Sequence, residues 1–177
     1  MNRPELVAAL ARYQTPFAEE QAFVSRFLAL LQHPNCYQRT HLPGHLTGSA
    51  WITNPAGSAV LLLKHAKLER WLQPGGHADG NENILEVALR EVAEETGLAH
   101  PEVLGLFDID IHLIPARKDF PAHDHYDIRF LMKANEAHSL RINHESTALQ
   151  WVPLSELALY NSDTSLQRMA DKLLRGN

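Results

Sequence analysis

Three glutamates, Glu91, Glu94 and Glu95, are the residues whose types and spacing most clearly indicate chemistry. A helix would bring their carboxylates to one edge, where like charges three or four residues apart repel by a few tenths of a kcal/mol per pair. A chain carries such a cluster when a positive group neutralises it. Carboxylate oxygens without a cysteine suit a hard cation, so the cluster predicts a site for Mg²⁺ or Mn²⁺.

The element that must position these glutamates is an amphipathic helix that begins near Glu82. At about 100° per residue, the three carboxylates fall within about 100° of one another. Arg90 lies close enough to Glu94 to pair with it and restrain its rotamer. Asn81 is expected as the N-cap and Gly97 as the residue that ends the helix. The sector beside the carboxylates should pack on a core, because it consists of Ile84, Leu85, Ala88, Leu89 and Val92.

A glycine segment, Pro74-Gly75-Gly76, precedes the helix and is expected to form a loop that can approach a metal or a phosphate closely. Segment and helix together resemble the signature of the Nudix hydrolase superfamily, GX5EX7REUXEEXGU, where U is a bulky aliphatic residue. Every specified position is filled, by Gly76, Glu82, Arg90, Glu91, Val92, Glu94, Glu95, Gly97 and Leu98. The alternative, an acidic solvated helix face, explains neither the glycines nor the unmixed charge.

The resemblance implies an α/β fold of the Nudix type, an α/β/α sandwich with a mixed central sheet. It implies hydrolysis of a pyrophosphate bond in a nucleoside diphosphate linked to another moiety, with Mg²⁺ or Mn²⁺ as cofactor. It also implies metal ligation by the carboxylates of Glu91, Glu94 and Glu95 and by the carbonyl oxygen of Gly76. The likeness extends more weakly over residues 46–160 and leaves residues 1–45 outside it.

The extent of the resemblance implies a hydrolase domain over residues 46–177, and the apolar pattern of the preceding part predicts a helical N-terminal extension, residues 1–45. In the extension, Thr15 and Pro16 should start the second helix. Its apolar face must be covered by the domain or by a second subunit, so a homodimer is one expected arrangement. The domain should contain a last helix over about 163–174 and strands over 46–53, 58–64, 68–72, 102–114, 126–133 and 151–152.

A second group of polar residues follows the helix, at His123, His125 and Asp127. Alternate residues of a strand point the same way, so these three should share a face, and His77 leaves the glycine segment where it could face them. We expect a polar wall that contacts substrate phosphate, with Arg117 as a further phosphate-binding residue. An exposed loop with incidental histidines is the alternative, and two histidines with an aspartate also fit a metal site.

The general base has several candidates. Water attacking phosphorus is helped by a base whose pKa lies near the working pH, and Glu145 and His125 are two candidates outside the helix. Glu145 lies where the Nudix family often places a base-bearing loop, and Glu91 is a candidate within the helix. Arg90 is expected to orient neighbouring glutamates, and Glu82 is expected either to join the site or to pair with Arg90.

Composition bounds the class of function. The chain has 177 residues and a net charge of −5, so general nucleic-acid binding through phosphates is not favoured. Its single cysteine, Cys36, cannot form an internal disulfide, and no apolar run is long enough to cross a bilayer. We therefore expect a cytoplasmic protein, and the resemblance to the Nudix superfamily implies a small nucleotide-type substrate.

A metal-dependent pyrophosphohydrolase is the first hypothesis. A non-catalytic nucleotide-binding or regulatory protein of the same fold is the alternative, although such a protein would be expected to lose some of these glutamates. An isomerase of the superfamily would need a cysteine in the site, and Cys36 precedes the predicted domain. An RNA-decapping module is disfavoured by the negative charge. Loops select the substrate, so the sequence predicts its class and not its identity.

Overall fold

The computed structural model describes residues 1–175. Two helices, α1 (Arg3–Ala11) and α2 (Ala18–Leu30), precede the first strand, β1 (Gly44–Thr53). Among the helices of the described residues, none combines the length and the apolar character that crossing a membrane requires. The remaining elements are β2 Ala59–His65, β3 Trp71–Leu72, β4 Gly75–His77, α3 Ile84–Thr96, β5 Glu102–Ile114, β6 His123–Lys133, β7 Ser146–Pro153, a 3₁₀ turn Leu154–Glu156, α4 Leu157–Tyr160 and α5 Thr164–Leu174.

The strands form one mixed sheet, with the order β3-β2-β1-β6-β5 along its main path. β1 and β6 pair in parallel, from Gly44 opposite Asp124 to Thr53 opposite Lys133, and β5 continues antiparallel to β6. β7 pairs antiparallel with β2, and β4 pairs antiparallel with β1. β1 is buried along its whole length, so it forms the centre of the molecule.

Alternation along β1 separates the two faces of the sheet. One face packs on α3, and a side chain at Gly48 would come within 2.9 Å of the carbonyl oxygen of Ile84. The opposite face packs on α5, where Trp51 shares a second core with Leu166 and Met169. The expected α/β/α sandwich is therefore confirmed. The core on the α3 side includes Leu46, Ala50 and Ile52 of β1 and Ile84, Val87, Ala88 and Val92 of α3.

The N-terminal helices pack on the side of the sheet that carries α3. Leu6 and Leu10 of α1 and Phe27 of α2 belong to the same buried core as β1. The Phe27 ring meets Tyr126 of β6 edge-on, with 5.2 Å between ring centroids. The extension thus packs on the domain of its own chain. This contact covers the apolar face that was expected to pack on the domain or on a second subunit.

A network of buried charges joins α2, α5 and the β5–β6 edge of the sheet. Lys172 of α5 donates to Glu20 of α2 at 2.6 Å and to Asp108 of β5 at 2.8 Å. Arg168 donates twice to Asp108, at 3.0 and 2.8 Å, and Arg129 of β6 pairs with the same carboxylate at 3.3 Å. All five side chains are buried, so each charge depends on its partners for solvation.

The start of α2 differs from the prediction. The helix begins at Ala18, with Phe17 as its N-cap residue, and not at Thr15 and Pro16. The Thr15 hydroxyl accepts the Phe17 N–H at 3.2 Å and donates to Glu20. Thr15 therefore closes a turn before the helix rather than capping its first residue.

The start of α3 also differs from the prediction. Asn83 and not Asn81 is its N-cap residue, because the Asn81 side chain accepts the Asn83 N–H at 2.8 Å and forms a local turn. Glu82 therefore precedes the helix. Its carboxylate pairs with Arg3 of α1 at 2.7 Å, so the predicted pairing with Arg90 is wrong.

Two predicted boundaries near the glycine segment change as well. The strand expected over 68–72 shortens to Trp71–Leu72, and Glu69, with φ of 52°, interrupts extended backbone before it. The glycines that were expected in a loop form β4 with His77. The segment is therefore held by β1 along a strand edge.

Candidate active site

Helix α3 presents the three predicted glutamates along one edge. Glu95 is 5% exposed, whereas the Glu91 side chain is 12% exposed and the Glu94 side chain 56% exposed. Gly97, with φ of 78°, ends the helix in the left-handed conformation that glycine adopts without strain. Exposure to solvent therefore increases from Glu95 through Glu91 to Glu94.

Strand β4 brings the glycine segment against these carboxylates. The Gly75 N–H donates to Glu95 Oε2 at 2.9 Å. A Cβ atom at Gly76 would overlap the Glu91 carboxylate, so only glycine allows this approach. The pairing of β4 with β1 fixes both contacts, since it anchors the glycines to the centre of the sheet.

Arg90 ties the glutamates to this strand. Its guanidinium pairs with Glu91 at 2.9 Å and with Glu94 at 3.4 Å. It also donates to the carbonyl oxygen of His77 at 2.9 Å. These contacts restrain the rotamers of two carboxylates, as the sequence predicted for Glu94, and they join α3 to β4.

Burial determines the protonation of the carboxylates. It raises the pKa of Glu95 to about 8, although the hydrogen bond from Gly75 acts in the opposite direction. Burial also raises the pKa of Glu91, and the Arg90 charge opposes this rise. Among the described residues, Glu95 has no cationic partner, and Arg90 offsets only part of the effect of burial on Glu91. An oxygen-only donor set with this deficit fits a divalent cation such as Mg²⁺ or Mn²⁺.

Glu145 lies in the turn before β7, beside this cluster. Its N–H donates to the Asn143 side chain at 2.9 Å, and its carbonyl oxygen accepts the Ala66 N–H at 2.8 Å, so the turn is attached to the end of β2. The side chain is 55% exposed. After the larger effect of burial, the charge of Glu145 helps to raise the pKa values of Glu91 and Glu95. The Glu145 charge thus acts on the glutamates, and the role of Glu145 as base stays a prediction.

The predicted histidines meet one another at the start of β1 and β6. His45 of β1 lies opposite His125 of β6, and His77 of β4 completes the group. The ring centroids are 5.2 Å apart for His45 and His77, 5.0 Å for His45 and His125, and 4.9 Å for His77 and His125. His123 stacks on His45 at 5.0 Å. The predicted histidines are therefore grouped around His45, and their contact with substrate phosphate stays a prediction.

Burial favours the neutral form of three of these imidazoles, those of His45, His77 and His125. Burial lowers the pKa of His77 to about 4, and the nearby Arg39 charge adds to this effect. Burial also lowers the pKa values of His45 and His125. A neutral imidazole offers a lone pair and no positive charge to a phosphate. The link between this group and the glutamates is the contact of Arg90 with the His77 carbonyl oxygen.

Asp127 shares the sheet face of His125, as the alternation predicted. Its carboxylate accepts hydrogen bonds from Thr47 at 3.0 Å, from Ser49 at 2.8 Å and from Arg129 at 2.8 Å. The residue is buried, and these donors satisfy its charge within the sheet. Asp127 is therefore a structural partner of β1 and not a member of the histidine group.

Arg117 lies exposed on the loop between β5 and β6. Its backbone pairs with Phe120 in both directions, at 2.9 and 3.1 Å. The Phe120 ring contacts the His123 ring with 4.9 Å between centroids, so this loop belongs to the histidine end of the sheet.

Sequence reasoning missed His45 because the first strand was expected to begin at Leu46. The strand begins at Gly44, two residues earlier. With that start, the alternation of His45, Thr47 and Ser49 would have shown a polar face on β1 before the structure did.

Comparison with known proteins follows the same elements. The NUDIX domain model matches residues 44–173. The chain is 29% identical over 121 residues to a probable DHNTP pyrophosphohydrolase of Lactococcus lactis subsp. cremoris. The alignment covers 67% of this chain and 73% of that protein. The E. coli dihydroneopterin triphosphate pyrophosphohydrolase superposes with a TM-score of 0.61, 14% identity and coverage of 74% of this chain and 96% of that one. A C. elegans Ap4A hydrolase superposes with a TM-score of 0.60 and 20% identity, and the superposition covers 73% of this chain and 95% of that one.

The family match includes the whole of the site. It begins at Gly44, the first residue of β1, and contains the glycine strand, α3 and Glu145. The two superposed structures have the same fold, a mixed sheet between layers of helices. The chain therefore belongs to the Nudix hydrolase family, and it is a pyrophosphohydrolase.

Proposed function

We propose that this protein cleaves a pyrophosphate bond in a small nucleoside diphosphate-linked compound, with Mg²⁺ or Mn²⁺ held by Glu91, Glu94, Glu95 and the carbonyl oxygen of Gly76. The observation that carries the proposal is the pair of buried carboxylates, Glu91 and Glu95, against the glycine strand. A divalent ion bound there would neutralise phosphate charge and acidify the attacking water.

The residues around the ion have distinct roles in this proposal. Arg90 keeps Glu91 and Glu94 oriented through its ion pairs at 2.9 and 3.4 Å. Glu145, on its attached turn, takes a proton from the attacking water. The water oxygen forms a bond to one phosphorus, the bond from that phosphorus to the bridging oxygen breaks, and the other phosphate leaves with the bridging oxygen.

The remaining predicted residues, His77, His123, His125 and Arg117, are proposed to face the part of the substrate beyond the scissile bond. Support comes from β4, in which Gly76 touches the glutamates and the next residue, His77, belongs to the histidine group. Neighbouring strand residues are about 3.3 Å apart. Successive residues of β4 point to opposite faces of the sheet, so a substrate with its phosphates at the glutamates would reach the histidines around the edge of β4.

The proposed substrate is a small molecule in which a polyphosphate is joined to a planar base. The similar proteins described above are named for a pterin triphosphate and for a dinucleoside polyphosphate, and both compounds share this plan. The net charge of −5 favours a small substrate over a nucleic acid.

The proposal also includes the domain boundaries, the location and the oligomeric state of the enzyme. We assign residues 1–45 to an extension and residues 46–177 to the hydrolase domain, a division supported by the start of the family match at residue 44. A cytoplasmic location is supported by the single, free and buried Cys36. The apolar face of α2 lies in the chain's own core, which removes the reason for expecting a homodimer.

A substrate panel tests the proposal. We expect phosphate-bearing products in Mg²⁺ or Mn²⁺ from at least one of dihydroneopterin triphosphate, Ap4A, ADP-ribose, nucleotide sugars and nucleoside triphosphates. On the best substrate, Glu145→Gln should lower kcat by about 10²-fold or more. Cleavage of no compound would contradict the function, and a normal kcat in the variant would remove Glu145 as the base.

A further inference from the structure

The histidine group has the composition of a metal site separate from the carboxylates. His45, His77 and His125 each offer a ring nitrogen, and these nitrogens lie within 4.8 Å of one another. We propose that the three imidazoles bind a second metal ion, of the borderline transition type, with Zn²⁺ as the best fit. This site goes beyond the proposed pyrophosphate hydrolysis, whose metal is held by the α3 carboxylates and the carbonyl oxygen of Gly76.

His45 shows the orientation that a metal ligand needs. It is 1% exposed, and its Nδ1 lies 3.3 Å from the carbonyl oxygen of His41, to which it donates. This hydrogen bond leaves the lone pair on Nε2. That Nε2 atom is buried and has no hydrogen-bond partner among the described residues. Histidine ligands commonly donate the other ring nitrogen to a backbone carbonyl in this way.

His125, on the neighbouring strand, also has a ring nitrogen that no described residue partners. Its Nε2 is also buried without a hydrogen-bond partner in the part of the chain that the structure describes. Buried polar atoms are seldom left unpaired in native proteins, so two in one cluster indicate an absent partner. The parallel pairing of β1 and β6 fixes His45 beside His125, and the ring nitrogens of the two residues lie within 4.8 Å of each other.

The spacing suits one ion with small adjustments. Two nitrogens bound to Zn²⁺ at about 2.0–2.1 Å in tetrahedral geometry lie about 3.4 Å apart. The present separations of at most 4.8 Å close to that value through modest side-chain rotations. His77 can make such a rotation because it is only half-buried, on the short strand β4.

The donor type distinguishes this site from the carboxylates. Neutral imidazole nitrogens suit Zn²⁺, whereas carboxylate and carbonyl oxygens suit Mg²⁺ and Mn²⁺. Two further histidines support the ligands. His123 stacks on His45 with 25° between ring planes, and His112, which bonds Asp110 at 3.1 Å, meets His125 edge-on. Three protein ligands leave one position open for water or a substrate oxygen.

The test measures Zn²⁺ binding to the metal-free full chain by calorimetry and by elemental analysis after dialysis. Wild type, the double variant Glu94→Gln/Glu95→Gln and the exposed control His138→Ala should each bind one Zn²⁺ with similar affinity. His77→Ala and His125→Ala should bind at least about tenfold more weakly, because even changes to residues behind the ligands cost that much. Circular dichroism without metal establishes that every variant is folded.

Three results would overturn the proposal. They are the absence of stoichiometric Zn²⁺ in the wild type, unchanged affinity in His77→Ala and His125→Ala, and loss of binding in the glutamate double variant. Co²⁺ gives an independent readout, since nitrogen-ligated Co²⁺ of low coordination number absorbs visible light. We expect this absorption in the wild type and its loss in His77→Ala, and the same spectrum in both proteins would contradict the site.

Discussion

Glu95 shows how burial turns a sequence motif into a site of defined chemistry. The sequence places this residue on a helix edge, and the fold adds that it is 5% exposed and receives the Gly75 N–H. Burial raises its pKa to about 8, so the metal-free protein keeps much of it protonated at neutral pH. A cation beside it would favour the ionised, ligating form.

Replacing Glu95 by glutamine should stabilise the metal-free protein at alkaline pH. The raised pKa means that the folded protein binds more protons than the unfolded chain between about pH 4.5 and pH 8. Stability is therefore lost as the pH rises through this window, by at most about 1.4 kcal/mol per pH unit. In chelator, Glu95→Gln should melt near the wild type at pH 5 and above it at pH 8.

The exposed Glu94 supplies the control for this comparison. Glu94→Gln should melt in parallel with the wild type from pH 5 to pH 8, because solvent screens that carboxylate. A constant difference between Glu95→Gln and the wild type over the same range would show that burial does not govern the protonation of Glu95.

The glutamates could be predicted from the sequence and the histidine group only in part, for one physical reason. A single helix carries Glu91, Glu94 and Glu95, so local periodicity is enough to place them together. His45, His77 and His125 come from three strands, and only the pairing of β1 with β6 and β4 brings them together. Strand register is a non-local property that one strand's sequence does not contain.

Among the elements, the short strand β4 contacts both groups of candidate functional residues. It has three residues, Gly75–His77, which touch the carboxylates at one end and the histidines at the other. Its glycines were predicted as a loop because glycine is rare within strands. The strand forms because β1 offers an edge there.

Gly76→Ala should reduce kcat by about 10²-fold, since misplacement of a reacting group by about 1 Å can cost that much. The new Cβ would overlap the Glu91 carboxylate and displace it from the position that Arg90 holds. Gly57→Ala is the control, because its φ of 68° brings backbone strain but no atom lies within 4 Å of the added Cβ. The control should lower the melting temperature and keep kcat. A wild-type kcat in Gly76→Ala would contradict the assigned contact.

Element boundaries failed where side chains bond to the nearby backbone. Thr15 and Asn81 each had the composition of an N-cap, but each closes a turn before its helix by accepting an N–H two residues later. Side chains of this kind stabilise turns and caps with the same hydrogen bonds, so composition does not separate the two outcomes.

At the scale of the whole molecule, the buried charge network joins the extension to the sheet and to the last helix. Glu20 and Lys172 are 152 residues apart, and both contacts of Lys172 with carboxylates are shorter than 3 Å. No sequence pattern predicts such a contact, since each charged residue alone favours an exposed position. The extension therefore contributes to the folding stability of the domain through this network.

Lys172→Met should destabilise the protein by about 3–5 kcal/mol, because it leaves the buried Glu20 carboxylate without the cation that contacts it at 2.6 Å. Urea unfolding monitored by circular dichroism measures the change. The matched control is Asp171→Asn, which removes a solvent-exposed pair with Arg175 at 3.7 Å and should change stability by no more than about 1 kcal/mol. Equal effects of the two substitutions would show that the network is dispensable.

The most direct test of the central claim is the metal dependence of hydrolysis on the best substrate of the panel. Activity should require Mg²⁺ or Mn²⁺ and should disappear in excess chelator. Glu94→Gln should lower kcat by about 10²-fold or more while circular dichroism stays unchanged. Full activity of the wild type in excess chelator, or of Glu94→Gln in Mg²⁺, would contradict the assignment of the α3 carboxylates as the metal site.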